Sequence, residues 1–435
     1  MEYISHSEQI PVGKSFDVIV CGGGVAGCAA AVSAARHGKE VLLLERSCIL
    51  GGLGTLGLIN LFVSMDNGRG QLIVKGLCQE FVELSTKYGY DSKPELWKDA
   101  PDAMDSEHVD PRKRTRYTTW YSANIFALML AELMEKSGVT LYYDSIASEA
   151  IVSEKNGKKH IDGVIVQSKS GRTFHPAKEV VDTTGDADVL YRAGVPCRDG
   201  RNFYTYTGYE TNLRNCQKAI DQHNIHLVYQ HCAGGNATLY GDRQMEGKKL
   251  YKGTTVEEVS EYILSNQMIM LQDYKGGDRW ERDIAILPGM PQFRTTRCIE
   301  GGHTFTSQDA FKHFDDSISL INDFDRNDLV YEVPYRCLVN EGFDNIITAG
   351  RSASAQGYGW DVLRVIPPAI VTGQAAGDAC AQAIDEGSDI NRIDIGKLQK
   401  TLESENVLIH YDESMVPNDF SDIGKYNPSE DVRHA

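Results

Sequence analysis

The chain has 435 residues, 41% of them hydrophobic, and carries 44 Lys plus Arg against 61 Asp plus Glu, a formal charge of −17. This length predicts two or three domains with sizeable cores, and this charge argues against nucleic acid or an anionic membrane as partner. No run approaches ~18 uninterrupted apolar residues, the start is polar, and the scattered cysteines include no CxxC pair; the expectation is a cytoplasmic protein with no span, signal peptide, redox dithiol or compact zinc or iron–sulfur ligand run.

The first predicted element is a βαβ unit, DVIVCGGGVAGCAAAVSAARHGKEVLLLE, from Asp17 to Glu45. The apolar run Val18 to Cys21 reads as a buried parallel strand, an alanine-rich helix runs to about His37, and Val41 to Leu44 is a second strand. Between them stands Gly22-x-Gly24-x-x-Gly27. Gly22 permits the tight turn, Gly24 lacks the Cβ that a pyrophosphate would meet, and Gly27 lets the helix approach the strand. The helix N-terminus at Val25 and Ala26 would present free N–H groups and a favourable dipole to phosphates. Glu45 follows Gly27 by 18 residues, close to the roughly 20 at which a carboxylate accepts from ribose hydroxyls and repels a 2′-phosphate. A GxGxxG can be a mere turn, but strand, helix, second strand and acid in this order point to a dinucleotide site.

Arg46 and Gly51-Gly52 come next, then a helix near Gly76 to Tyr88 and a charged loop with the basic run Pro111 to Tyr117. That run could gather an anionic substrate, though a solvated loop is the commoner meaning of such a run. ANIFALMLAELMEKSG, from Ala123, is an amphipathic helix, and LYYDSIASEAIVSE and IDGVIVQS are strands with turns at Lys155-Asn156-Gly157 and Ser170-Gly171. Glu179 to Leu190 is a strand running into Asp182-Thr183-Thr184-Gly185-Asp186. Tyr204, Tyr206 and Tyr209 could line a sugar or aromatic pocket, while the alternation of the first two also fits one face of a cap strand. Strand Ile346 to Ala349, the turn Gly350-Arg351, a second turn holding Tyr358 and Asp361, and a helix near Pro368 to Ile384 complete the pattern. The tail offers a short helix, Ile395 to Glu405, and then a polar, flexible end.

Gly51-Gly52, the Asp182–Asp186 segment, and the strand, turn and helix around Gly350 are similar to segments of flavoproteins with the glutathione-reductase type of FAD fold. With PQFRTTRCIEGGHTF, DDSISL and VPYRCLV, the resemblance covers about residues 15 to 388 and extends to the FAD-dependent oxidoreductase family distantly related to fumarate reductase and succinate dehydrogenase flavoproteins. It implies an α/β fold, a Rossmann-like FAD-binding domain with an inserted mixed α+β cap or substrate domain. The expected FAD-binding segments are 15–60, 118–194 and 342–388, the cap 61–117 and 195–341, and the tail 389–435. It implies that the last helix aims its N-terminus at the flavin and that Asp182, Gly185, Asp186, Gly350, Arg351 and Arg364 join the cofactor contacts. The stretch after Gly51-Gly52 has no histidine where fumarate reductase relatives carry one, so FAD is expected to be noncovalent.

The catalytic candidates are His303, as a general base in a loop, and Arg297, Tyr358 and Asp361. Arg336 is a further anion-binding candidate. A guanidinium suits a substrate carboxylate or the flavin, and equally a structural ion pair between cap and FAD domain; loop histidines are often solvated or structural. No second GxGxxG marks a nicotinamide domain. The expected reaction is dehydrogenation of a small sugar- or polyol-like metabolite, since relatives often accompany carbohydrate catabolism. Reduction of an unsaturated acid, with arginines and His303 around one carboxylate, is the alternative, and a non-catalytic flavin-binding protein is another. The electron acceptor or donor and homo-oligomerisation stay open.

Overall fold

The computed structural model describes residues 4–97, 115–155, 157–326 and 329–416; residues 111–114 of the basic run, Asn156 of the first turn and the end of the tail lie outside these. The chain begins with strand β1 (Phe16–Cys21), helix α1 (Val25–Arg36), strands β2 (Val41–Leu44) and β3 (Leu61–Phe62), and helix α2 (Leu77–Thr86). Then come β4 (Thr119–Trp120), α3 (Ala123–Lys136), β5 (Thr140–Tyr142), β6 (Ile146–Lys155), β7 (Lys158–Ser168), β8 (Gly171–Asp182) and α4 (Asp188–Ala193). The next stretch holds β9 (Cys197–Asp199), β10 (Thr205–Asn212), α5 (Leu213–Asp221), β11 (Gln230–Asn236), α6 (Val256–Tyr274) and β12 (Arg282–Ile286). Strands β13 (Arg297–Ile299), β14 (Ser317–Asn322), β15 (Val330–Pro334) and β16 (Ile346–Thr348) precede helices α7 (Gly357–Arg364), α8 (Ile366–Glu386) and α9 (Ile395–Ser404).

The main sheet is parallel at its centre, β5-β2-β1-β8, with β16 parallel to the end of β8. Its strands are nearly unbroken apolar runs because both faces are covered. Val18 and Val20 of β1 enter one core cluster, and Ile19 and Cys21 the other, as the two-residue repeat of a strand requires. β8 serves two neighbours on one side. Residues 171–176 pair antiparallel with β7, and the last three residues pair parallel with β16.

One face is closed by α1 and α8, which cross at small residues. A Cβ on Gly373 would meet Ala26 O at 2.2 Å, and one on Gly377 would meet Ala30 O at 2.4 Å. The alanines of α1 are thus an inter-helix seam. Helix α8 starts at Ile366, two residues before the expected Pro368, and its prolines sit in the first turn, where a missing N–H costs no hydrogen bond.

A second body is built on the antiparallel sheet β11-β10-β12. Its core is aromatic: Tyr204, Tyr206, Tyr251, Tyr262 and Phe293 pack with Met270. Tyr204, just before β10, and Tyr206 within it are therefore structural, in one aromatic core. Two other expectations change. The glycine-rich stretch read as a turn around Tyr358 is helix α7. The tail after α9 is packed as far as it is described: Val407, Ile409 and Tyr411 are buried, and Leu408 O and Ile409 O accept hydrogen bonds from Leu320 N and Ser317 Oγ. Among the described residues no helix is long and apolar enough to cross a membrane.

Candidate functional site

A cavity of about 390 Å³ lies outside the carboxyl ends of β1, β2, β8 and β16, where ligands of open α/β sheets bind. Gly22, Gly24, Val25, Ala26, Glu45, Arg46, Gly51, Gly52, Gly185, Gly350, Arg351 and Arg364 all line it. Most come from the turns and the helix start that follow the parallel strands at this edge, and Arg364 comes from the end of α7.

The glycines of the first turn do different work. Gly22 has φ +114°, and a Cβ there would meet Thr183 O at 2.5 Å. Gly27 does not line the cavity; a Cβ on it would strike Gly22 O at 1.8 Å, so it sets how closely α1 approaches the turn. At Gly24 an added Cβ meets nothing within 4 Å, and Gly24 borders the cavity. The missing side chain there leaves backbone open to a ligand at the head of α1.

Glu45 is buried and accepts Gly23 N–H at 2.9 Å and Ser47 N–H at 2.7 Å, one on each oxygen. The two backbone donors hold the carboxylate still at the cavity wall, and each oxygen keeps a further lone pair. A second shared feature is the Gly23–Gly51 contact. Gly51 N donates to Gly23 O at 2.8 Å, and Gly51 and Gly52 take φ +97° and +55°, which ties the Gly-Gly turn to the first one.

Asp182 and Asp186 stand behind the wall. Asp182 is fully buried and accepts from Thr184, Val189 and Leu190 N–H, fixing the β8 turn to the start of α4. Burial raises its carboxyl, against the hydrogen bonds that lower it. Asp186 accepts from Arg351 Nη2 at 2.8 Å and from Thr296 Oγ1. Arg351 also donates to Gly185 O and to Phe293 O. Its guanidinium is thus a clamp joining the sheet's turns to the second body, although the residue borders the cavity.

The expected catalytic side chains do not converge on this cavity; among its lining residues are none of His303, Arg297, Tyr358 or Asp361. His303 Nε2 lies 3.0 Å from Asp309 Oδ2. Burial pushes Asp309 up, but hydrogen bonds from His303, Thr306 N–H and Lys312 outweigh it and hold the carboxyl below its ordinary value. Arg297 pairs with Asp188 at 3.2 Å and lies 3.9 Å over the Tyr191 ring. The Arg336 guanidinium makes two bonds to Asp316, and its backbone N–H a third. Tyr358 donates to Asp323 at 2.6 Å, inside the protein, and burial pushes its phenol far up. Asp361 is fully buried against Arg364, with Arg364 Nη2 at 2.7 Å.

Sequence reasoning missed the wall made by Ser145, Ile146 and Ala147, and the apolar contribution of Leu56, Ile59 and Met290. The first was readable in principle, because β5 pairs parallel with β2 and must end at the same edge. Beside Ile59, Asn60 is buried: its Nδ2 donates to Tyr121 O at 2.6 Å and Tyr209 OH donates to its Oδ1 at 2.6 Å. Tyr209 in turn packs on His231, and Tyr90 stacks on His226 at 4.3 Å. Burial lowers both imidazoles, which disfavours their charged form. The group is built of rings, an amide and a hydroxyl rather than charges, with the Asn60 amide and the Tyr209 hydroxyl bonded to one another.

A family model described as FAD dependent oxidoreductase matches residues 17–233 and 207–402. No curated protein sequence matches. Among solved structures, p-nitrophenol 4-monooxygenase PnpA from Pseudomonas putida DLL-E4 is similar at TM-score 0.46 and 13% identity, over 90% of this chain and 84% of that one. L-proline dehydrogenase from P. horikoshii is similar at TM-score 0.38 and 14% identity, over 92% and 100%. THI4 from Thermovibrio ammonificans is similar at TM-score 0.30 and 20% identity, over 41% of this chain and 61% of that one. At these scores the reactions in those names stay with those proteins.

Proposed function

The chain belongs to the FAD dependent oxidoreductase family, and from that premise we propose that it dehydrogenates a small, uncharged, hydroxylated metabolite of the sugar or polyol kind. It is an enzyme with a Rossmann-like fold, and its cofactor is FAD. Bound FAD supplies the hydride acceptor for oxidation of an alcohol to a carbonyl. The protein's own groups supply the rest.

The open space at Gly24, the free N–H groups at the head of α1 and the fixed Glu45 carboxylate fit a dinucleotide. We assign to FAD the twelve expected residues that line the cavity, held without a covalent bond. Gly27, Asp182 and Asp186 act behind them, by shaping the turns. Residues 15–60, 118–194 and 342–388 form the FAD-binding part of this reading, and 61–117 and 195–341 the cap; ten free cysteines suit a reducing compartment such as the cytoplasm.

The substrate class is read from the Asn60, Tyr90, Tyr209, His226 and His231 group, which does not itself line the cavity but adjoins the lining residue Ile59 through Asn60. Its aromatic faces and neutral donors suit carbon-bound hydroxyls. A neutral imidazole is also competent to accept the hydroxyl proton. The arrangement favouring the acid-reducing alternative, arginines and His303 around one carboxylate, is not formed, since His303, Arg297 and Arg336 each engage a different aspartate.

The test is anaerobic mixing of the yellow protein with sugars, polyols, amino acids and hydroxy acids, following the flavin band near ~450 nm. Bleaching by a sugar or polyol is expected. No bleaching by these, with reoxidation of the chemically reduced protein by an unsaturated acid, would overturn the reading.

A further inference from the structure

Away from the cavity, Glu332 on β15 is fully buried, yet its carboxylate lies between two half-exposed imidazoles. His313 Nδ1 is 2.7 Å from Oε1, and His410 Nδ1 is 3.0 Å from Oε2. Each oxygen also accepts one backbone N–H, Oε2 from Phe314 at 2.7 Å and Oε1 from Tyr411 at 3.3 Å. The backbone donors fix the carboxylate and occupy one lone pair per oxygen. The other lone pair of each oxygen faces a ring nitrogen.

The surroundings of this trio have the outer layer that metal ligands require. A ligating carboxylate is itself hydrogen-bonded, and a ligating histidine donates its second ring N–H to a carboxylate or carbonyl. Glu332 has its two backbone donors, and the exposed Glu413 carboxylate lies 3.6 Å from His313 Nε2, a salt-bridge rather than a hydrogen-bond distance. Tyr411 stacks on His313 with ring centres 4.1 Å apart and planes 6° apart, fixing the ring. One donor atom from each of His313, Glu332 and His410 falls within 4.8 Å of the others, and the 2.7 and 3.0 Å between each imidazole nitrogen and the carboxylate oxygen it faces are within reach of one ion held by bonds of roughly 2.0–2.2 Å.

We propose that His313, Glu332 and His410 bind a divalent transition-metal ion, Zn²⁺ by the character of its nitrogen and oxygen ligands. Both Nδ1 atoms and the Glu332 carboxylate coordinate, water completes the shell, and Glu413 orients His313. The three ligands come from the loop before β14, from β15 and from the segment after α9. The ion therefore fastens the C-terminal segment to the β14–β15 hairpin. None of these residues lines the large cavity, so the site is independent of the proposed reaction.

The test uses untagged, flavin-loaded protein freed of metal by a chelator. Zn²⁺ is added in competition with a chromophoric chelator, and Co²⁺ is added with its visible d–d bands as a direct report of the ligand set. The expected result is one ion per chain, with affinity reduced at least tenfold in His313→Ala and in His410→Ala, and roughly tenfold in Glu413→Ala, the usual range for an outer partner being about 10–100-fold. Because both histidines are half-exposed, these variants fold even if Glu332→Gln does not; flavin content should stay at the parent level. Failure to bind one equivalent, or unchanged affinity in the His313→Ala/His410→Ala double variant, would overturn the site. The second outcome would direct the ion to His37, Asp378 and Glu405, the other group of this kind among the described residues.

Discussion

At the head of α1 the protein makes room by leaving side chains out, and in the second body it fills room by stacking them. Gly22 and Gly27 stand where a Cβ would meet backbone oxygens at 2.5 and 1.8 Å. Tyr204, Tyr251, Tyr262 and Phe293 instead meet ring to ring, with Tyr262 and Phe293 centred 4.4 Å apart. The difference teaches that the first region is specified by what backbone cannot tolerate, while the second is specified by volume. Backbone cannot move aside for a methyl group; a stack of rings can repack around a similar one.

The sharpest way to break that contrast is Gly27→Val, which drives a branched side chain into Gly22 O. Its cost should exceed about 3 kcal/mol, read as loss of folded, yellow protein on purification. Tyr262→Ala removes the ring at the centre of the aromatic stack and should cost about 3–5 kcal/mol; in denaturant melts the second body should loosen while the purified protein still carries flavin. If it emerges colourless, the two regions are not separable. Gly24→Ala sharpens the comparison from the other side, since its Cβ meets no protein atom. Stability should change by less than about 0.5 kcal/mol, while FAD binds roughly tenfold more weakly, or about 1.4 kcal/mol, by fluorescence titration of apoprotein.

The smallest effect belongs to the seam between α1, α8 and α9. Hydrogen bonds from His37 to Asp378 and Glu405 raise its imidazole to about 10 from an ordinary 6.5, against the opposing effect of burial. A folded-state value above the unfolded one means that the stabilisation is complete below about pH 6.5 and lost as pH rises through about 10. His37→Gln should therefore lower Tm at pH 6, and the gap to the parent should close by pH 10. A gap independent of pH would show that the pairing contributes by packing alone.

The βαβ unit was legible because it is local: strand, turn, helix and acid follow one another within residues 17–45, and their hydrogen-bond partners are neighbours in the pattern. Side chains whose meaning depends on distant partners were not. Arg351 borders the cavity as its motif suggests, but its pairing with Asp186, 165 positions away, is announced by no pattern around either residue. His303 reads as a loop base until Thr306 and Asp309 close a capping box beside it, which brings the carboxylate onto the ring. Helix α7 was hidden by its glycines, whose low helix propensity is overridden by packing: a Cβ on Gly359 would meet Thr306 Cα at 2.5 Å, and Trp360 Nε1 donates to Arg351 O. The candidate metal ligands share this blindness, since His313, Glu332 and His410 are spread across nearly a hundred residues.

The double allegiance of β8 also sets an order of events during synthesis. Its first half can zip onto β7 as soon as the hairpin leaves the ribosome, but the partner of its last residues, Ile346 opposite Val180, arrives some 166 positions later. Pairings this distant in sequence form slowly, because the loop between them must close first. The nascent chain therefore carries the glycine turn long before Gly350, Arg351 and α8 exist to complete the pocket around it. On the proposed assignment of this pocket to FAD, its wall is complete only once that late pairing has formed.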